Sequence, residues 1–256
     1  MTRSALGRGR SRLALVVMLA VAAVVAAGVT VAVAAPSARP LQTPAAVQDH
    51  HGGRVLLEDY FNVSPDPAWQ FVNREGRVAG GQLVIDGGYV AEPWGRDGWA
   101  MTHVGDRRWR SYSFAATFDT SNVGGSPAEV HGADFFVRVS DTGATGTGTY
   151  YRITIWDPGM PDPTGSDHDM SQGLASVQRY VAGQTTTLGM RWHTNTVTGT
   201  NQIVVRVHGS RIVVVVNGEC ILRTHDPVPL HFGGVGVGHI WETNGWFDNV
   251  VVWRDR

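Results

Sequence analysis

Two segments carry side chains able to do recognition chemistry, GADFFVRV (residues 132–139) and TYYRITIWD (149–157). Both are short, β-branched and aromatic, which is the composition of strands. Successive side chains of a strand point to opposite faces. Tyr150, Arg152, Thr154 and Trp156 therefore share one face, and Tyr151, Ile153 and Ile155 the other. The same alternation groups Asp134, Phe136 and Arg138. The Ile153 set is apolar and belongs to a core, which leaves the Arg152 set for an outer or concave face. Arg138 and Arg152 on neighbouring strands would then form a polar floor, with Trp156 as a platform and Asp157 directly after it. A planar guanidinium presents several donors in a fixed fork, and a flat aromatic can lie on pyranose C–H faces. Together they have the chemistry of a sugar site. The alternative is a solvated or internally paired face, Arg138 with Asp134 for example.

Other candidates lie in loops. YVAEPWGRDGWAMTH (89–103) carries Trp94 and Trp99, which either stack on a ligand at the rim or cap the end of the core. His239 and Trp241 stand close together in HIWE, and His225-Asp226 and His231 precede them. No Ser-His-Asp arrangement can be argued from their order, because a triad is recognised in space. DPGMPDPTGSDHDM (157–170) is rich in oxygen ligands but lacks the fixed spacing of a calcium loop. Cys220 is the sole cysteine, which excludes an intrachain disulfide, and it reads as a small hydrophobe after a turn.

The elements that must position these groups are strands. From Arg54 onward there is no helical periodicity of useful length. Strands are expected over 55–61, 69–72, 77–85, 98–104, 111–119, 133–139, 149–156, 174–181, 187–193, 203–208, 211–216, 219–223, 234–241 and 246–253. Gly209-Ser210 and Asn217-Gly218 join three of them into a meander. Asn-Gly between apolar runs is the strongest short hairpin signal, because both turn residues need positive φ. GGVGVG (233–238) could be mistaken for a phosphate loop, but such a loop must open a helix, and HIWETNGWFDNVVVW follows instead. Val235 and Val237 face the core, and the glycines give room to a neighbour or a ligand. Many strands and no helix imply an all-β, two-sheet antiparallel sandwich or jelly roll.

The first residues are of another kind. MTRSALGRGRSR supplies four arginines and no acid, and residues 13–35 are an unbroken apolar run. This is the pattern of a secretory signal, with Ala32-Val33-Ala34 as an A-x-A site. The run is also long enough to span a bilayer, which takes ~20 residues, so residues 1–35 are expected to be a signal peptide or a membrane anchor. Residues 36–53, rich in Pro, Ala and Gln, read as a flexible linker and 54–256 as the sandwich. Either way the domain is expected outside the cell, secreted or held at the membrane by residues 13–35. All 21 basic residues are arginine, which excludes Schiff-base lysine chemistry and P-loop phosphate binding. Without residues 1–34, 17 arginines face 22 acids, a formal charge of −5. That balance speaks against a nucleic-acid partner.

In order, VLLEDYF, GRVAGGQLVI, WRSYSFAATF, GADFFVRV, TYYRITIWD, IVVRVHGSRIVVVVNGECIL and GGVGVGHIW…FDNVVVW resemble the concanavalin A-like lectin/glucanase jelly rolls over residues 54–253. The flavour is similar to laminin-G-like domains and to the 3-keto-disaccharide hydrolase (DUF1080) group. The resemblance implies a curved sheet whose concave face holds sugars, and a structural Ca²⁺ of the kind some relatives carry, held here by Glu58, Asp59 and Asp248. It also carries departures. Family 16 hydrolases of this fold place two Glu around an Asp on one strand, whereas the nearest acids here, Glu129 and Asp134, are wrongly spaced. Gly238 stands where the DUF1080 pattern has a Gln.

The sequence therefore leads to a non-catalytic, lectin-like domain that binds an oligo- or polysaccharide, expected to be a monomer, with membrane contact only through its N-terminal segment. A 3-keto-disaccharide-type glycoside hydrolase and an envelope protein-interaction module are the alternatives. The expected carbohydrate contacts are Asp134, Arg138, Tyr150, Arg152, Trp156, Asp157, Trp94, Trp99, His239 and Trp241.

Overall fold

The computed structural model describes residues 53–72, 76–85, 99–119, 132–142, 148–158, 171–240 and 245–255. The segment read as leader and the linker up to residue 52, together with Trp94, Trp241 and the acids of 159–170, lie outside the described residues.

Fifteen strands and no helix occur among the described residues. In chain order they are β1 (Val55–Asp59), β2 (Gln70–Val72), β3 (Gly76–Ala79), β4 (Gln82–Ile85), β5 (Trp99–Val104), β6 (Tyr112–Asp119), β7 (Gly132–Asp141), β8 (Thr149–Trp156), β9 (Leu174–Val181), β10 (Gln184–Arg191), β11 (Thr200–His208), β12 (Arg211–Val216), β13 (Glu219–His225), β14 (Gly234–Ile240) and β15 (Gly245–Arg254). They form two antiparallel sheets. The first runs β13-β12-β11-β6-β15-β4-β3, with β1 also paired to β15. The second runs β10-β9-β8-β7-β14-β5-β2. Sequence neighbours pair along β13-β12-β11, β4-β3 and β10-β9-β8-β7, while the pairings β11-β6, β6-β15, β15-β4, β7-β14, β14-β5 and β5-β2 join strands distant in sequence. This is a jelly-roll sandwich.

The inner faces follow the alternation of each strand. Phe114 and Phe118 on β6 and Phe247 on β15 face Phe135 on β7 from the opposite sheet, all buried. The Phe118–Phe135 and Phe135–Phe247 rings meet edge to face at centroid distances of 5.2 and 5.9 Å. Such contacts add to the burial of ring area that drives the sheets together.

Turn chemistry sets the hairpins. Asn217 and Gly218 adopt φ of 48° and 82° between β12 and β13, as the Asn-Gly pair predicts. The expected single strand over 77–85 is two, because Gly80 and Gly81 at φ of 62° and 76° fold it into the β3–β4 hairpin. The strand expected at 187–193 begins at Gln184, after a turn at Ala182-Gly183. Residues 184–187 are all exposed on this edge strand, so no buried face marks them in the sequence.

The glycine-rich strand β14 lies between β5 and β7. Val235 and Val237 are in the core. A Cβ at Gly236 would come 2.5 Å from the Thr102 carbonyl oxygen, and one at Gly238 2.4 Å from that of Ala100 and 2.9 Å from the Phe136 ring. The glycines therefore accommodate neighbouring backbone and Phe136.

Candidate functional site

The register of β7, β8 and β9 assembles an outer face on the second sheet. Asp134 lies opposite Thr154, and Thr154 opposite Ser176. One step along, Phe136 faces Arg152 and Arg152 faces Gln178. Another step brings Tyr150 opposite Tyr180. Directly opposed residues share a face, so these side chains form one surface, continued by Met101 and His103 beyond Gly238 and Gly236.

Asp134 is the hub. Arg152 Nε donates to its Oδ1 at 2.8 Å and Arg152 Nη2 to its Oδ2 at 2.9 Å, a bidentate pair. Thr154 Oγ1 also donates to Oδ1 at 2.7 Å. Both ions are buried, Asp134 2% and Arg152 6% exposed. Burial works against the Arg152 charge, but Asp134 and then Tyr180 more than offset it and hold the guanidinium above its ordinary range. Aromatic rings flank the pair. Tyr150 stacks on Tyr180 at 5.1 Å and meets Phe136 edge-on at 5.3 Å. Burial, and then the neighbouring Tyr180, push the Tyr150 hydroxyl upward, so it stays protonated. Trp156, half-buried, packs with Leu174 and Trp192 at the end of the same strand. Asp157 follows it, half-buried.

The floor expected from Arg138 and Arg152 side by side is not the arrangement found. Arg138 sits at φ 53° where the β7–β8 register shifts, and the bulge turns its side chain out of the alternation. Its Nη1 donates to the carbonyls of Gly209 (2.6 Å) and Leu230, and its Nη2 to that of Arg110 (3.1 Å). The partner of Asp134 is thus Arg152, and Arg138 pins the β11–β12 turn and the segment leading into β14. Around it, the Tyr112 hydroxyl accepts from the Arg138 N–H and donates to the Gly234 carbonyl. Tyr151 donates to Asp226, which Arg179 also binds at 2.9 Å. Burial lowers the Arg138 value, against the pull of Tyr112, Tyr151 and Asp226.

His239 follows the inward parity of Val235 and Val237, is buried, and lies beside Gly245 of the opposite sheet. It is therefore away from the outer face. Trp99 begins β5 opposite Ile240. Gln178, Tyr180 and Ser176 were missed as site residues, although the alternation in LASVQRYV already places them on one face.

The residues expected to hold Ca²⁺ do not converge. Glu58 is exposed. Asp59 Oδ1 accepts from the Phe61 N–H, and its Oδ2 from the Asp66 N–H and Trp69 Nε1. Asp248 Oδ1 accepts from the Asn249 N–H. No group of three His, Cys, Asp or Glu able to hold a metal occurs among the described residues. Cys220 is half-buried, with Arg223 Nε 3.0 Å from its sulfur.

No known family profile matches the chain, and no curated protein matches its sequence. Solved structures do. A Bacillus subtilis protein of unknown function with a galectin-like fold superposes with a TM-score of 0.59 at 10% identity, over 79% of this chain and 96% of that one. The exoplasmic/lumenal domain of VIP36 in its Ca²⁺/Man3GlcNAc-bound form gives 0.53 at 11% identity, over 76% and 88%. The carbohydrate-binding module CBM66 of Bacillus subtilis gives 0.52 at 12% identity, over 75% and 98%. The two sheets, their strand order and these superpositions show the fold, an antiparallel jelly-roll sandwich of the galectin-like kind.

Proposed function

We propose that this protein is an exported, non-catalytic carbohydrate-binding domain acting at the cell surface or on secreted polysaccharide. The observation that carries the reading is the outer face of the second sheet, where a bidentate Asp134–Arg152 pair is set among Thr154, Gln178, Phe136, Tyr150 and Tyr180. A sheet face needs no buried ion pair for packing alone, since apolar residues of equal size do that as well or better. Planar polar groups bordered by aromatic rings are the chemistry that reads sugar hydroxyls and C–H faces. Two of the similar structures are, by name, a carbohydrate-binding module and a Man3GlcNAc-bound domain. Against catalysis stands the carboxylate inventory. Glycoside hydrolysis needs a pair of carboxyl groups within ~5–10 Å. Among the described residues of β5, β7, β8, β9 and β14 the acids are Asp134 and Asp141, separated by seven residues of strand, ~23 Å at ~3.3 Å each. Asp157, just past β8, is three residues beyond Thr154, the residue opposite Asp134, which puts the two backbones ~11 Å apart.

A glycan array probed with the purified protein, with Ca²⁺ and with chelator, tests this. Binding that Trp156→Ala and Arg152→Lys each weaken tenfold or more, with the fold intact by circular dichroism, supports the site. Release of reducing sugar from a bound oligosaccharide overturns the non-catalytic reading. Silence across the array by folded protein overturns carbohydrate binding.

A further inference from the structure

The first sheet carries a second surface of a different kind. Register places His208 opposite Arg211, and Arg211 opposite His225. One step along, Arg206 lies opposite Val213, and Val213 opposite Arg223. These residues share a face. It is the outer one, because the alternating residues Val207, Ile212, Val205 and Val214 are in the core. Arg206, Arg211, Arg223, His208 and His225 are all exposed. With strands ~4.8 Å apart and ~3.3 Å per residue, Arg206, Arg211 and Arg223 form a triangle ~8–10 Å on a side.

Among the described residues no carboxylate pairs with these charges. Arg206, Arg211, His208 and His225 form no ion pair or side-chain hydrogen bond with the described residues. Arg223 reaches only the Cys220 sulfur. The described acid tied to this row is Asp255, whose Oδ1 accepts from Ser113 Oγ at 2.7 Å, Ser113 lying opposite Arg206. Asp226 follows His225 but is fully buried against Arg179 and Tyr151. Glu219 is at the far end of β13 beside Arg191 and His193. Like charges on adjacent strands repel, and a chain that is acidic beyond its leader has carboxylates to spare. A basic triangle kept clear of them is complementary to an external polyanion.

We propose that the outer face of β11–β13 binds an anionic polysaccharide, with Arg206, Arg211 and Arg223 pairing its carboxylates. Guanidinium matches a carboxylate through two parallel hydrogen bonds. Three guanidinia spread over three neighbouring strands suit a linear polymer laid across them. Nucleic acid fits less well, because β11, β12 and β13 hold no Phe, Tyr or Trp to serve as a stacking platform for bases, and their only aromatic rings are the small imidazoles of His208 and His225. A membrane fits less well too, because none of the exposed large apolar side chains lies on these strands. This surface is on the opposite sheet from the proposed sugar site and does not depend on it.

The test is binding of the purified protein to polygalacturonate, to vesicles containing phosphatidylglycerol and to single-stranded DNA. The expected result is salt-sensitive retention on polygalacturonate, reduced at least tenfold in the triple variant Arg206→Gln, Arg211→Gln, Arg223→Gln. These side chains are exposed, so an unchanged unfolding midpoint shows that the loss is not one of folding. Trp156→Ala should leave this binding intact, so a failed sugar site and a failed polyanion surface give separate results. No binding to polygalacturonate, equal binding by the triple variant, or preference for vesicles or DNA over the polysaccharide overturns the proposal.

Discussion

Asp134 and Arg152 are locked to each other by two parallel hydrogen bonds on the outer face of the second sheet, on adjacent strands and eighteen residues apart in sequence. Each ion depends on the other. A buried charge that loses its partner keeps its desolvation cost and loses the compensating attraction.

Removing one member should therefore cost far more than removing both. Asp134→Ala is expected to destabilise by ~3–5 kcal/mol, and the double variant Asp134→Leu, Arg152→Met by much less. Urea unfolding of the two single variants and the double measures this. Equal losses for single and double would mean that the pair is not the coupled unit described.

Arg138 is a peg rather than a floor residue. Replacing it with Met leaves the carbonyls of Gly209, Leu230 and Arg110 without its guanidinium. These bonds come from a charged donor and are part-buried, and a hydrogen bond to a charged group contributes ~1.5–3 kcal/mol, so a loss of about that size or more is expected. Hydrogen exchange should show faster opening of residues 226–233, with the Phe135 core protected. Unchanged exchange there would contradict the role.

Stability should fall in mild acid through His103. Burial, and then the nearby Arg107, depress its value. The fold thus favours the neutral ring. Its contribution is complete above the ordinary histidine value of ~6.5 and is lost as pH falls through the depressed folded value. His103→Gln should flatten the stability profile below about pH 6.5. A profile identical to that of the parent protein would remove His103 from the account.

The glycines of β14 should not tolerate a methyl group. Gly238→Ala places a Cβ 2.4 Å from the Ala100 carbonyl oxygen and 2.9 Å from Phe136. Overpacking of this kind costs ~1–3 kcal/mol, measurable by thermal unfolding. The companion change Phe136→Leu relieves the ring contact but not the carbonyl contact, so only partial rescue is expected.

Much of this molecule is set by local rules. Tyr151, Ile153 and Ile155 had to face the core and Arg152, Thr154 and Trp156 the other side, because a strand alternates whatever surrounds it. Asn217-Gly218 had to turn, and GGVGVG could not open a phosphate-binding helix with FDNVVVW to follow. Partnership is another matter. The alternation puts Asp134, Phe136 and Arg138 on one face, but a single bulge at Arg138 breaks the period and sends its guanidinium toward Gly209 and Leu230. That shift arises from pairing with β8 and β14, which no local pattern records. The choice of Arg152 for Asp134, the Tyr150–Tyr180 stack and the gathering of Arg206, Arg211 and Arg223 all depend on which strands become neighbours and in what register. Those distances close only when the two sheets form, so they belong to the tertiary structure alone.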